Sequence, residues 1–247
     1  MCGRATLTCP PEVLAEHFGV ALPASLVLPR FNITPSQPML VVRATRSGSP
    51  ADREAVMARW GLVPHWAEDA SIGARCAQAR RETIAQSAAF RDAFRARRCL
   101  VAVDGYYEWR RAHPQQKKTG AATPHWVHRG DGAPFALAGV WERWTTPEGE
   151  RVETCAVITT EARGDVAQLH HRMPVVVPRE RFSAWLAASP TGASELLSQI
   201  AEESAEGLAC RAVSPRVNRP EHDDAACLEP ATADAPLAPE PQLTFRF

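Results

Sequence analysis

Lysine is nearly missing from this 247-residue chain: of 28 basic residues only Lys117 and Lys118 are lysine. The cationic side chains are therefore arginines, whose planar fork suits bidentate phosphate recognition where lysine offers a point charge. Net charge is missing too, with 28 basic residues against 28 acidic ones. No apolar run approaches the ~20 residues of a membrane span, and no basic-then-apolar leader opens the chain. There is no Cys-x-x-Cys pair, and the seven cysteines (Cys2, Cys9, Cys76, Cys99, Cys155, Cys210, Cys227) are odd in number and scattered. A disulfide framework or zinc site is not expected on that pattern, nor is a cofactor. The expectation is a soluble protein of a reducing, cytoplasmic compartment.

What is present begins at the front. Met1-Cys2-Gly3-Arg4 would, once Met1 is removed, leave a cysteine with a free α-amine and a thiol on one residue. The amine has a pKa near ~7.7–8.0 and the thiol near ~8.5, so both are partly deprotonated near neutrality. Such a 1,2-aminothiol attacks amides as a thiolate, or condenses with an aldehyde to a Schiff base that the sulfur closes into a thiazolidine. The plainer alternative is that Cys2 is the second residue of an N-terminal strand.

The zero net charge hides an asymmetry. Six acids and one base lie between Pro220 and Phe247, which leaves 27 bases and 22 acids before them: a core near +5 and a tail near −5. Arginines cluster at Arg75, Arg80 and Arg81, at Arg91, Arg95, Arg97 and Arg98, and at Arg110 and Arg111 beside the two lysines. Such runs are a solvated face or a nucleic-acid groove.

With 45% hydrophobic residues the chain can bury one substantial core. Helices are expected over Pro10–Phe18, Thr83–Arg97, Arg179–Leu186 and Ala193–Glu203, from proline and glycine stops and apolar spacing. Short alternating or apolar runs predict strands at Met39–Arg43, Val56–Trp60, Leu100–Val103, Tyr106–Trp109, Phe135–Trp141, Cys155–Thr160 and Pro174–Val177. Strands that do not alternate regularly with helices imply an α+β fold: a single domain with a largely antiparallel, barrel-like β core and a few peripheral helices. Residues 1–230 should form it. Residues 231–247, rich in Pro, Ala and acids, are expected to be a disordered tether. Its last residues, Gln242, Leu243, Phe245 and Phe247 among them, look similar to the glutamine-leucine-aromatic peptides that bind DNA sliding clamps.

Four stretches carry chemistry. Asp104-Gly105-Tyr106-Tyr107-Glu108-Trp109 sets Glu108 in an aromatic strand, suited to general acid–base work or to a surface ion pair. Leu169-His170-His171-Arg172-Met173-Pro174 places two histidines and Arg172 before a buried strand, as a site or as structural side chains. Asn32, in Arg30-Phe31-Asn32-Ile33-Thr34-Pro35, is an amide donor or an ordinary turn cap. Trp60 and Trp66 flank the bend Gly61-Leu62-Val63-Pro64, either as core or as a platform for unstacked bases.

The order of these stretches is more informative than any one of them. Met-Cys-Gly-Arg, Arg-Phe-Asn-Ile-Thr-Pro, Trp-Gly-Leu-Val-Pro, Arg-Glu-Thr before Phe90-Arg91-Asp92-Ala93-Phe94, Arg98-Cys99-Leu100-Val101, Asp-Gly-Tyr-Tyr-Glu-Trp, His-His-Arg-Met-Pro and Val213-Ser214-Pro215-Arg216-Val217-Asn218 resemble the SOS response-associated peptidase family of abasic-site sensors. The resemblance spans Cys2 to about Pro230. It implies that processed Cys2 captures the ring-opened sugar of an abasic site in single-stranded DNA as a thiazolidine, shielding the lesion during the DNA-damage response. It assigns acid–base work to Glu108 and sugar opening to His170. Arg4 and Arg80 would hold phosphates, Asn32 and Arg172 would join the DNA-binding set, and Trp60 and Trp66 would stack bases. The peptidase name implies that the same set also acts on its own N-terminus or reverses the crosslink, a hydrolase or lyase activity. A nucleoid-associated monomer is implied.

Two departures stand out. The family normally has Asn-Ala-Arg before Glu-Thr, whereas here Gln78-Ala79-Arg80 fits without a gap to Phe90, the other register being Ile72-Gly73-Ala74-Arg75. Glutamine keeps the donor and acceptor but adds a methylene. His171 stands where the family usually has aspartate. The rival readings are an N-terminal-cysteine amidohydrolase akin to class II glutamine amidotransferases, whose later glutamine-binding motif is not found here, and a non-covalent reader of modified single-stranded DNA.

Overall fold

A computed structural model describes residues 3–45, 52–111, 121–231 and 238–239. Met1, Cys2, Lys117, Lys118 and the terminal Gln242, Leu243, Phe245 and Phe247 lie outside the described residues. In chain order the elements are β1 (Ala5–Leu7), α1 (Pro11–Phe18), β2 (Arg30–Ile33), β3 (Pro38–Ala44), β4 (Arg53–Trp60), β5 (Gln78–Arg80), α2 (Arg91–Ala96), β6 (Arg98–Val103) and β7 (Gly105–Arg111). There follow β8 (Ala121–Arg129), β9 (Phe135–Thr145), β10 (Arg151–Glu161), β11 (Arg172–Pro174), β12 (Val176–Val177), α3 (Phe182–Ala187), α4 (Ala193–Glu203), β13 (Leu208–Ala212) and β14 (Ala238–Pro239).

Strands β10, β4, β3, β6 and β9 pair in that order, and β9 pairs back onto β10, closing a five-stranded barrel. Closure removes the open edges, which is why fully apolar runs such as Leu100–Val103 are tolerated without aggregation. The interior is crowded: a Cβ on Gly139 would come within 2.8 Å of Val101 Cγ2 and 2.9 Å of Cys99 Sγ. The second sheet has the order β13-β8-β7-β1-β2, with β14 on β8. The α+β, largely antiparallel, barrel-like reading is borne out. The parallel exceptions among the described strands are β4 and β5 against β10.

Barrel and second sheet are joined where β6 runs through Asp104 into β7. The buried Asp104 carboxylate accepts from Thr6 Oγ1, from Thr8 N and Oγ1, and from Cys9 N, pinning the end of β1 to that junction. Gly105 follows because the Trp126 indole lies where a side chain would go, its Nε1 2.0 Å from an added Cβ.

Two expected elements differ. The helix over Thr83–Arg97 is helical at Arg91–Ala96, preceded by tight turns in which Thr83 N and Ile84 N both donate to Arg80 O, and Phe90 N to Ser87 O. On one continuous helix Ile84 and Phe90 would point ~120° apart, whereas the broken path lets both bury. The Pro174–Val177 strand splits at Val175, because Arg172–Pro174 pairs with β10 and Val176–Val177 with β9. Among the described residues no helix is long and apolar enough to cross a membrane.

Candidate functional site

The site is built on the N-terminal strand. β1 pairs with β7 through Ala5 opposite Tyr106 and Thr6 opposite Gly105, and Tyr107 N donates to Arg4 O at 3.0 Å. Carried one residue further, this register sets Gly3 against Glu108, one residue after Cys2. Side chains alternate along a strand, so Tyr106 and Glu108 share the face that looks into the main core, while Tyr107 and Trp109 pack in a separate apolar cluster with Val213, Val217 and Cys227. Glu108 is 2% exposed. A carboxyl this shielded from bulk water suits general acid–base chemistry.

Directly across from Glu108 on β8 stands His125, also buried. Its Nδ1 lies 3.0 Å from Thr123 O. A carbonyl only accepts, so Nδ1 carries the proton and Nε2 is the acceptor. Burial pulls the imidazole below its usual pKa, with nearby Arg110 adding to the effect and the Thr123 contact opposing it. His125 was not among the sequence candidates, and the signal that exposes it is the pairing of β7 with β8.

A second group gathers at the C-terminal end of β10. β5 runs along one edge, with Gln78 opposite Val157 and Arg80 opposite Thr159; β11 runs along the other, with Pro174 opposite the same Thr159. Gln78 is half-buried and Arg80 exposed. This places Gln78 and Arg80 on a strand of the site, while Ile72–Arg75 falls in a separate 3-10 turn. His170 lies in the loop after the 3-10 turn Gly164–Gln168, which packs on β13 of the second sheet. His170 Nδ1 lies 2.9 Å from Arg172 N and 3.2 Å from Arg172 O, so the Arg172 backbone fixes this edge of the ring and leaves Nε2 on the opposite edge. The His171 ring lies 4.2 Å from that of His170, centroid to centroid. The Arg172 backbone and the neighbouring His171 ring flank His170.

Four of the expected DNA contacts have other work. Arg4 is 1% exposed and faces away from Glu108; its Nη1 donates to Asn32 Oδ1 at 2.9 Å and Val217 O at 2.6 Å, and its Nη2 to Asn218 O at 3.2 Å. Asn32 is equally buried, its Nδ2 donating to the carbonyls of Val217, Arg219 and His222. Trp60 is fully buried and donates its indole N–H to Ala77 O, so it offers no face to a base. Arg172 spends its guanidinium on a bidentate pair with Glu82, at 2.8 and 3.0 Å, and on Thr159 O. That pairing holds the Glu82 carboxyl below its usual pKa. All four side chains are held by partners within the protein. Trp66, by contrast, is 50% exposed. No group of three or more His, Cys, Asp or Glu placed to hold a metal occurs among the described residues.

Comparison with known proteins places this arrangement. Residues 1–220 match the family described as SOS response associated peptidase (SRAP). The chain is 33% identical over 231 residues to the abasic site processing protein YoqW of Bacillus subtilis, covering 93% of this chain and 99% of YoqW. It is 26% identical to the abasic site processing protein HMCES of Mus musculus, covering 94% of this chain and 76% of HMCES. A crystal structure of a Bacteroides thetaiotaomicron protein superposes with a TM-score of 0.77 at 21% identity, covering 94% of this chain and all of that one, a likeness of fold.

Proposed function

Since the chain belongs to the SOS response associated peptidase (SRAP) family, we propose that it is an abasic-site processing protein that captures single-stranded DNA covalently through Cys2. With Met1 removed, the Cys2 amine adds to the sugar C1′ aldehyde; the carbinolamine loses water to an imine, and the thiol adds across that imine to close a thiazolidine. One C–N and one C–S bond form and one water leaves. Glu108 takes the amine's proton and returns it to the departing hydroxyl. His170 donates a proton to the sugar ring oxygen as the ring opens, and Gln78 orients the aminothiol. Arg80 meets backbone phosphate, and Trp66 stacks on a base beside the lesion.

The single observation that supports this reading is the register that carries buried Glu108 opposite Gly3, next to Cys2. The reverse reaction, and hydrolysis of the Met1–Cys2 bond, use Cys2, Glu108 and His170. Residues 1–230 do this chemistry as a monomer, and 231–247 act as a tether whose terminal Gln242, Leu243, Phe245 and Phe247 dock on a sliding clamp.

The test is to incubate protein whose Met1 removal has been checked by intact mass with an abasic oligonucleotide, then run a denaturing gel. A covalent band that disappears in Cys2→Ala and slows about 10²- to 10⁴-fold in Glu108→Gln is expected. A processed protein that binds the oligonucleotide but forms no band, or a band that survives Cys2→Ala, overturns the proposal.

A further inference from the structure

The bend after β4 is fastened to the β9–β10 hairpin at every second residue. Val63 N donates to Thr154 Oγ1 at 3.0 Å. His65 Nδ1 lies 3.3 Å from Glu142 Oε2. Ala67 O accepts from Trp144 Nε1 at 2.7 Å. The three anchors form one unit, because Thr154 stands opposite Glu142 in the hairpin register and Glu142 and Trp144 lie on one face of β9. All three are buried.

Glu142 is itself fixed. The same Oε2 accepts from Arg97 Nη2 at 2.6 Å, and Oε1 accepts from Arg143 N at 3.0 Å. The Thr154 hydroxyl donates onward to Glu142 O at 3.4 Å.

The spacing of the anchors decides what the bend displays. Ala67 N donates to Pro64 O at 2.9 Å, closing a β-turn with His65 and Trp66 as its two corner residues. His65 is tied to Glu142 and the closing residue Ala67 to Trp144. Trp66, between the two fastened positions, is one of only three large hydrophobic side chains exposed among the described residues. An aromatic on a mobile loop loses loop freedom as well as rotamer freedom when it stacks, whereas one on a fixed turn is spared the loop-ordering part.

We infer that Thr154, Glu142 and Trp144 are positioning residues that hold the turn 64–67 so that Trp66 is presented, pre-organised, to an unstacked base. The inference rests on the reading of Trp66 as a base-stacking residue and adds what makes that residue effective. None of the three anchors touches DNA in this scheme.

The experiment is a double-mutant cycle on the full chain. The probe is a single-stranded oligonucleotide bearing a tetrahydrofuran abasic analogue, which has no aldehyde and so reports binding without crosslinking. Trp144→Phe keeps the packing but deletes the N–H to Ala67 O, and Glu142→Gln weakens the hold on Arg97 and His65. Each should weaken binding roughly 3- to 10-fold, the worth of one such hydrogen bond. In a Trp66→Ala background the same substitutions should cost nothing further. With the true abasic oligonucleotide, the crosslinking rate at saturating DNA should be unchanged and the half-saturating concentration raised.

Equal losses with and without Trp66 would mean that the anchors act through general stability, and would sink the inference, as would unchanged affinity in both single variants. If Trp66→Ala alone leaves affinity intact, the base-stacking reading fails and the inference with it. If Trp66→Ala weakens binding and the anchors do not, the inference alone fails. Glu142→Gln keeps the test decisive if Trp144→Phe folds poorly.

Discussion

The two faces of the β1–β7 pair differ in what becomes of their polar groups. On one face Glu108 is buried beside His125, opposite the residue that follows Cys2. On the other, Arg4 and Asn32 are equally buried, but every hydrogen bond identified for Arg4 and Asn32 ends on a partner within the protein, most on carbonyls between Val217 and His222. Trp109 Nε1 joins them by donating to Asn218 Oδ1 at 2.7 Å, and Tyr107 OH donates to Phe31 O at 2.7 Å. The first face carries Glu108 and His125, the second clamps the 213–231 segment onto the sheet. Burial alone does not separate the two roles; the partners do.

Arg4 offers the largest test of this contrast. Burial lowers its pKa to about 10, still far above neutrality, so the guanidinium stays charged and its desolvation is offset by three acceptors. Arg4→Met keeps the length of the chain but leaves those acceptors short of a donor. With each buried acceptor left unsatisfied costing about 1–3 kcal/mol, a loss of about 3–5 kcal/mol in unfolding free energy is expected, read by urea denaturation. If the variant unfolds like the parent but binds oligonucleotide more weakly, Arg4 is a phosphate contact after all and the faces are not distinct.

Asn32→Ala is the next step down. It removes the acceptor of one Arg4 bond and the donor to three carbonyls, of which Val217 O keeps Arg4 and His222 O keeps Cys227 Sγ, so about 2 kcal/mol is expected. Crosslinking per folded molecule should be unchanged. A crosslinking defect at full stability would place Asn32 with the reactive group.

That the sequence suggests DNA contacts for these residues, and an aromatic strand for Glu108 without telling which face it is on, follows from what a motif records. Met-Cys-Gly-Arg names neighbours along the chain, but Gly3 and Arg4 alternate in direction, so only the register on β7 tells which side each serves. Trp60 and Trp66 look like a pair along the chain, but the five residues between them send one into the core and leave the other at a turn. The long runs of the barrel, such as Phe135–Trp141, were legible because an apolar stretch bounded by turn residues has one good solution. The shortest strands are not: Ala5–Leu7 in the second sheet and Gln78–Arg80 along β10 are too short to display a period of two. Strand β8 reads poorly because Pro124 and two histidines interrupt its apolar pattern, and that is why His125 escaped notice.

The smallest effect separates the faces by pH. His125 has its pKa lowered by burial, so between its native value and the ordinary ~6.5 of an unfolded histidine the unfolded chain binds more protons than the native one. Stability is therefore full above ~6.5 and falls as pH drops through that window, with a slope from this residue of at most about 1.4 kcal/mol per pH unit. His17, also lowered by burial and by Arg179 and Arg129, acts in the same direction from α1. Arg4, titrating near 10, contributes nothing there. His125→Gln should flatten the decline in unfolding free energy measured at pH 7.5, 6.5, 5.5 and 5.0, leaving the His17 part, whereas Arg4→Met should lower the whole curve without changing its slope. Parallel curves for His125→Gln and the parent would show that the ring beside Glu108 titrates as an ordinary histidine, and that the Glu108 face is wetter than its burial implies.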